Sequence, residues 1–116
     1  METKKMYPRL TVRLMKNEKC FGPGIAALLQ RVEELHSLRS AAADMSMAYS
    51  KAWTILRQAE QELGFKLLES SVGGKNGGGA TLTEQGRQML AAYQTYTAEL
   101  EAENHRLFEK HFQDFL

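Results

Sequence analysis

Hydrophobic and polar residues alternate near the start of the chain. In the stretch PRLTVRLM, Leu10, Val12 and Leu14 alternate with polar residues, which is the period of two expected for a strand with one buried face. The pattern predicts a first strand, then a polar turn at KNEK and a break at FGPG. Pro23 suits the first turn of a helix because its φ is fixed and its missing N–H is not needed there.

Apolar residues at steps of three and four then predict three helices. The first runs from about Pro23 to His36, and the second, LRSAAADM, begins after Ser37, whose hydroxyl can cap it. The third covers residues 48–63 and ends at Gly64, a residue suited to the left-handed conformation that closes a helix. Two such helices joined by a short turn outline a helix-turn-helix, although plain helical hairpins are also common.

A glycine-rich loop, SSVGGKNGGGATLT, lies between two strand-like pieces, FKLLES and ATLT, and predicts a β-hairpin. Thr83 is placed to cap a final helix of about thirty residues, which is well above the usual length of about eleven or twelve. Apolar residues keep helical spacing almost to its end. Because so small a body cannot bury that stripe, its outer half is predicted to pack on another chain, most simply in an isologous dimer.

Composition and charge narrow the class of protein. The 116 residues suit one domain, and 43% hydrophobic with 25% charged residues is typical of a folded globular protein. Residues 1–90 hold 13 Lys/Arg against 9 Asp/Glu, whereas residues 91–116 hold 2 against 5, so a mildly basic body carries an acidic tail. This balance permits nucleic-acid binding without requiring it. With no signal peptide, no long apolar run and a lone Cys20, a cytoplasmic protein is expected.

Four pieces of sequence carry a resemblance to a known family: FGPG, SLRSAA, YSKAW and GGKNGGGATLTEQG. In this order they make residues 10–95 resemble the N-terminal DNA-binding domain of ModE-type, molybdate-responsive transcription regulators, and more loosely the LysR-type domain. The resemblance implies a mainly α, winged helix-turn-helix fold with a small antiparallel β wing. Residues 1–83 would be the DNA-binding domain and residues 84–116 a long dimerisation helix.

The same resemblance implies a cytoplasmic homodimer that binds double-stranded DNA. The family binds molybdate in a C-terminal domain that these 116 residues do not include, so neither molybdate binding nor any cofactor is expected. Such a regulator would be either constitutive or controlled through a separate effector-sensing partner. Helix 48–63 would lie in the major groove, and the wing, residues 71–80, on the flanking backbone or minor groove. The candidate DNA-binding residues are Arg39, Tyr49, Ser50, Lys51, Thr54, Arg57 and Lys75.

These candidates are assigned different contacts. Ser50, Lys51 and Thr54 are expected to read base edges, and Arg39, Arg57 and the loop residue Lys75 to contact phosphates. For Tyr49, packing by the ring and a phosphate contact by the hydroxyl both remain open, and Lys51 could equally be a solvated surface charge. Trp53 is expected to pack the third helix against the second, since a single helical Trp is usually a core residue.

Departures from the family pattern leave a second function open. Ala48 stands where a small hydroxyl residue usually caps the recognition helix, and Ser46 is the nearby residue that could replace it. The wing reads Glu69-Ser70-Ser71 where basic residues are common, Thr81 stands where another is common, and only Lys75 is charged in the loop. Fewer cations predict weaker DNA binding with a shallower salt dependence. The alternative is a winged-helix protein-interaction module with weak or lost operator binding.

An enzyme has little support in the sequence. A phosphate-binding loop requires Lys-Ser/Thr directly after its last glycine, whereas Lys75 lies in the middle of GGKNGGG. No Ser-His-Asp or Cys-His set is evident from spacing. His105 and His111 are six residues apart, not the three or four that place two ligands on one helix face, so no metal site is expected within one chain. A metal bridging two chains of a dimer stays open, without support in the sequence.

Overall fold

The computed structural model of the chain describes residues 4–71 and 79–116. Within these ranges the elements follow in the order β1 (Leu14–Met15), β2 (Lys19–Phe21), α1 (Pro23–Leu35), α2 (Leu38–Asp44), α3 (Tyr49–Leu63), β3 (Leu68–Ser71), β4 (Gly79–Leu82) and α4 (Glu84–Phe112). A short 3-10 turn, Gln113–Phe115, follows α4. The predicted fold class, a winged helix-turn-helix with a long C-terminal helix, is confirmed.

The first strand is shorter than predicted. Only Leu14 and Met15 are paired, with β2, which lies partly where the sequence predicted a turn and a break. The reason is that a strand needs a partner backbone, and the three-residue turn after Met15 brings β2 alongside only the last part of the alternating stretch. Phe21 of β2 is fully buried, with its ring edge-on to that of Tyr93 at 5.0 Å between centroids.

Helix α1 forms the centre of the core. Its predicted stripe is buried at Ile25, Leu28, Leu29 and Val32, whereas Leu35, one turn further on, is 45% exposed. The helix packs against α2, α3, α4 and β4. It ends at His36 in the left-handed conformation, φ 57°, and the carbonyl of His36 accepts a 3.0 Å hydrogen bond from the backbone N–H of Ala80 in β4.

The turn between α2 and α3 confirms one predicted cap and lacks another. The Ser37 hydroxyl accepts a 3.0 Å hydrogen bond from the Ser40 backbone N–H at the start of α2. Ala48 has the extended backbone of an N-cap residue, but α3 has no side-chain cap, and Ser46 does not replace it. Ser46 instead occupies the turn with φ 54°. Helix α3 ends at Gly64, φ 83°, as its sequence predicts.

The antiparallel hairpin of β3 and β4 is tied to α3 by a carboxylate. The Glu60 Oε2 atom accepts hydrogen bonds from the backbone N–H groups of Leu67, at 2.7 Å, and Leu68, at 3.3 Å. Leu68 pairs with Leu82 across the hairpin, and both are buried. The base of the hairpin is therefore fixed to α3.

Helix α4 begins at a close approach to the residue before β3. Thr83 caps it by accepting a 2.9 Å hydrogen bond from the Gly86 N–H, and its hydroxyl donates to the Lys66 carbonyl at 2.6 Å. A Cβ at Gly86 would lie 2.4 Å from the Leu67 carbonyl oxygen. Real Cβ atoms do not approach backbone oxygen so closely, so this helical position requires glycine.

Only the first part of α4 is covered by the body of the domain. Leu90 and Tyr93 are buried, whereas Tyr96, Leu107 and Phe112 are exposed. That the outer half packs on another chain stays a prediction. Among the described helices, none combines the length and apolar character needed to cross a membrane.

Candidate nucleic-acid interface

Helix α3 is divided into a buried and an exposed face by its sequence. Ala52, Leu56 and Ala59, at helical spacing, are buried in the core. The side chains between them point outward, and five of the predicted DNA-binding residues are exposed there: Tyr49, Ser50, Lys51, Thr54 and Arg57. The two small alanines let the helix sit close to the core while this face stays at the surface.

A row of two aromatic rings with a cation at each end runs along this face. The Arg39 guanidinium, from the start of α2, lies 4.2 Å from the ring centroid of Tyr49. The Tyr49 and Trp53 rings meet edge-to-face at 6.3 Å, and the Arg57 guanidinium lies 5.2 Å from the Trp53 ring. We call these four residues the aromatic ladder. Cations over ring faces at such distances are held by attraction to the π-electrons, which orients both guanidinium groups.

The cations of this face carry uncompensated charge. Within residues 4–71 and 79–116, Arg39, Lys51 and Arg57 form no ion pair with an Asp or Glu, whereas Arg31 and Arg87 do, with Asp44 and Glu33. The nitrogen atoms of both guanidinium groups therefore remain available as donors. Such donors in a fixed planar arrangement match a phosphate group well.

The first turn of α3 presents polar groups of a different kind. The Thr54 hydroxyl donates a 3.0 Å hydrogen bond to the Ser50 carbonyl, which leaves its oxygen lone pairs as acceptors. Since α3 has no side-chain cap, its first backbone N–H groups also lack a side-chain acceptor from Ala48. Exposed hydroxyls and free N–H groups are suited to base edges and phosphate oxygens, respectively.

The structure agrees in part with what the sequence predicts for Trp53 and Tyr49. Trp53 is half-buried and packs against the core, in line with a structural role, but its other side belongs to the ladder. The Tyr49 ring packs on Arg39 and Trp53, and its hydroxyl forms no hydrogen bond within the described residues. Sequence reasoning missed the ladder. The spacing of four between Trp53 and Arg57 could have indicated one of its contacts.

The wing supplies little positive charge where it is described. Glu69 in β3 pairs with Thr81 in β4, and Glu69 and Ser70 are exposed. Lys75 and most of the predicted wing, residues 71–80, lie outside the described residues. The described base of the hairpin therefore adds an acidic residue rather than a cation to this surface.

Three packed helices, an antiparallel hairpin after the third, and an exposed cationic face on that third helix define the winged helix-turn-helix class of DNA-binding domains. Residues 26–87 match the family model described as bacterial regulatory helix-turn-helix protein, lysR family. The chain belongs to this family.

Relatives of the chain include several ModE proteins. The DNA-binding transcriptional dual regulator ModE of Escherichia coli K12 is 30% identical over 89 residues, which are 76% of this chain and 34% of that protein. The transcriptional regulator ModE of Haemophilus influenzae is 32% identical over 84 residues, 72% and 32% of the two chains. The molybdenum-pterin-binding protein MopB of Rhodobacter capsulatus is 34% identical over 67 residues, 58% and 25%. The chain thus covers about a third or less of the length of each relative. The predicted resemblance to ModE-type and LysR-type regulators is confirmed.

Proposed function

We propose that the protein is a dimeric, cytoplasmic, DNA-binding transcription regulator. Residues 1–83 bind DNA, and residues 84–116 form the dimerisation helix. The observation that carries the proposal is the exposed face of α3, where the aromatic ladder orients two guanidinium groups that no carboxylate of the described residues neutralises. Family membership supports the same conclusion, since it makes DNA the expected partner.

In the proposed complex α3 lies in the major groove, which is wide enough to admit a helix. Ser50, Lys51 and Thr54 on its first turns contact base edges. Arg39 and Arg57, at the two ends of the ladder, contact phosphates and set the register of the helix on the duplex. Lys75 adds a contact from the wing to the flanking backbone or minor groove.

A dimer suits this mode of binding because two recognition helices can then contact two half-sites about one helical turn of DNA apart. The apolar stripe of α4 beyond Tyr93 supports it, since Tyr96 and Leu107 are 48% and 39% exposed in the single chain. A two-fold axis perpendicular to α4 would bury the stripe of each copy against the other.

The test is titration of the protein into a panel of fluorescent duplexes at about 50 and about 200 mM salt, the range over which phosphate contacts lose most of their contribution. We expect binding to some duplexes above the non-specific level, with an affinity that falls as salt rises. The double variant Arg39→Met/Arg57→Met removes four cations from a dimer and should reduce the slope of log affinity against log salt by about 3.6. Arg106→Met, on the outer part of α4, is the matched control and should leave the slope unchanged.

The alternative function, a winged-helix protein-interaction module, gives a different result in the same experiment. Such a module would bind no duplex above the non-specific level and would show no salt slope. That outcome would reject the regulator proposal while leaving the fold and the family assignment intact.

A further inference from the structure

The ten residues before β1 form an N-terminal arm, residues 4–13, that belongs to no helix or strand of the described chain. The arm contains four cations and no acidic residue: Lys4, Lys5, Arg9 and Arg13. Its apolar side chains are largely in solvent, with Met6 54%, Tyr7 64% and Leu10 42% exposed. Residues 9–13 of the arm alternate as a strand does, yet no strand within the described residues lies beside them.

The backbone of the arm is also largely without hydrogen bonds. Within the described residues, 4–12 form no backbone–backbone hydrogen bond. One side chain anchors the arm, since the Tyr93 hydroxyl donates a 2.7 Å hydrogen bond to the Val12 carbonyl. An alternating segment with unpaired N–H and C=O groups is a template for pairing with another strand.

The arm runs along the outer half of α4 in the direction opposite to the helix. Arg9, Leu10 and Thr11 line a groove with Thr97 and Glu101. Further out, a cleft of about 500 Å³ lies between the arm and the end of α4, and it is lined mainly by apolar side chains: Met6, Tyr7, Pro8, Phe108, Phe115 and Leu116.

The arm follows α4 in a nearly extended form. Val12 is held by the Tyr93 hydroxyl, and Tyr7 and Phe108 line the same cleft; from Tyr93 to Phe108 the helix rises by about 22 Å, at about 1.5 Å per residue. Five extended residues reach about 18 Å, and the side chains of Tyr93 and Phe108 span the remainder. The arm is therefore close to the extension of a β-strand and lies beside the α4 stripe that the proposed dimer buries.

We propose that the arms of two copies of the chain pair with each other as antiparallel strands across the dimer axis. The proposal rests on the α4 dimer of the proposed function. A two-fold axis perpendicular to α4 places both arms on the same side of the helix pair and makes them run in opposite directions, as antiparallel pairing requires. The strand that pairs with the arm is thus the arm of a second copy of this chain.

Charge within each copy favours this arrangement. Two arms with four cations each would repel, but residues 99–116, the outer part of α4 and the turn after it, carry five acidic residues against two basic ones. Glu101 and Glu109 line the groove and the cleft beside the arm. These carboxylates offset the repulsion between the arms.

The charges also select a register. With Leu10 opposite Leu10 of the second copy, Tyr7 lies opposite Arg13, a favourable cation–aromatic pair, and Arg9 lies opposite Thr11. Moving the centre by one residue to Thr11 would place Arg9 directly opposite Arg13, and like charges in that position destabilise a sheet. The Leu10-centred register is therefore the one proposed.

Disulfide crosslinking tests both the pairing and its register. In a Cys20→Ser background, Leu10→Cys should give a covalent dimer in high yield on mild oxidation, since directly opposite Cβ atoms lie about 4.5–5.5 Å apart. Asn17→Cys, in the exposed turn between β1 and β2, is the control and should give little. A mixture of Tyr7→Cys and Arg13→Cys proteins should give the mixed disulfide in excess over either homodimer, measured by mass spectrometry.

Sedimentation of the reduced proteins distinguishes a failure of the arm pairing from a failure of the α4 dimer. If the protein is a dimer but Leu10→Cys crosslinks no more than Asn17→Cys, the arm pairing is wrong and the α4 dimer is still supported. A monomer at all concentrations would overturn both. As a second measurement, Thr11→Pro, which removes a backbone N–H on the edge that faces the partner arm, should raise the dimer Kd about ten-fold over Thr11→Ala. Equal Kd values would reject the strand.

Discussion

Arg39 and Tyr49 come from different helices, and their contact joins the start of α2 to the start of α3. The guanidinium lies 4.2 Å from the ring centroid, and the next ring, Trp53, supports Tyr49 edge-on. A lysine in place of Arg39 would keep the charge but lose the planar group that stacks on the ring. The Tyr49 ring thus holds in place the Arg39 guanidinium, which we propose contacts a DNA phosphate.

The first prediction separates the ring of Tyr49 from its hydroxyl. Tyr49→Phe keeps the surface on which Arg39 stacks and should leave DNA affinity nearly unchanged. Tyr49→Ala should weaken binding by about two- to five-fold per protomer, since an exposed cation–π contact is worth about 0.5–1 kcal/mol. Fluorescence anisotropy on one duplex at fixed salt measures both. Equal losses in the two variants would instead assign the contact to the hydroxyl.

Gly86 lies so close to the Leu67 carbonyl that the position has no room for a side chain. We expect Gly86→Ala to destabilise the fold by about 1–3 kcal/mol because the added methyl group meets the Leu67 carbonyl, which must move. Gly24→Ala, near the start of α1, is the matched control: a Cβ there meets nothing within 4 Å, so stability should rise by about 0.5–1 kcal/mol. Urea unfolding followed by circular dichroism measures both, and equal midpoints would contradict the steric argument.

Exposure of the candidate site could be predicted from the sequence, but the contacts within it could not. The spacing of Ala52, Leu56 and Ala59 was enough to place Ser50, Lys51, Thr54 and Arg57 on the opposite face of α3. The contact between Arg39 and Tyr49 depends on how closely and at what angle α2 meets α3. That angle follows from side-chain packing across the core, which helical periodicity does not encode.

At the scale of elements, the start of α3 is less stabilised than it could be. Ala48 already has the extended N-cap backbone, φ −63° and ψ 139°, but has no oxygen to accept a first-turn N–H. We predict that Ala48→Ser stabilises the protein by about 0.5–2 kcal/mol by supplying that acceptor. Thermal unfolding measures the gain, and Ala43→Ser, at an exposed position within α2, is the control that should not stabilise.

The first strand and the long helix show why some elements could be predicted and one could not. The predicted α4 depends on its own residues, on the Thr83 cap and on a local 3.6-residue period, and the structure confirms it. The alternating stretch from Arg9 to Leu14 depends on a partner. Alternation indicates which residues can form a strand, whereas pairing in one chain is limited to where β2 passes.

Tyr93 links α4 to the arm and makes that link sensitive to pH. Burial raises the pKa of its hydroxyl above the value of 10.0 for free tyrosine, and the nearby Arg13 opposes the shift only in part. Because the folded pKa exceeds the unfolded one, stability is fully present below about pH 10 and is lost as pH rises through the folded pKa.

We therefore predict that the free energy of unfolding of the native sequence falls more steeply above about pH 10 than that of Tyr93→Phe, which has no group to ionise. Urea unfolding from about pH 8 to about pH 11 gives the two curves. Tyr7→Phe, at an exposed position, should follow the native sequence. Parallel curves for the native sequence and Tyr93→Phe would show that the buried hydroxyl does not carry this dependence.

At the scale of the whole molecule, α4 extends well beyond the body and gives the chain extents of 59 × 36 × 21 Å. The acidic residues of the outer helix share that end of the molecule with the arm, whose cations Lys4, Lys5 and Arg9 lie beside Glu101 and Glu109. In the proposed complex with DNA at α3, the outer half of α4 lies away from the phosphates and is available for the interface between two copies.

The dimer interface can be tested without removing any of the core. Truncation before Tyr93 would delete a buried residue, so a point change in the exposed stripe is sharper. Tyr96→Glu should give a monomer in sedimentation, because it would bury a charge in the interface without a partner. Ala98→Glu adds the same charge two residues on, about 200° around the helix, and should remain dimeric. Since a monomer presents one recognition helix instead of two, Tyr96→Glu should also lose most affinity for a two-half-site duplex. If Tyr96→Glu and Ala98→Glu sediment alike, the two copies do not meet along this stripe.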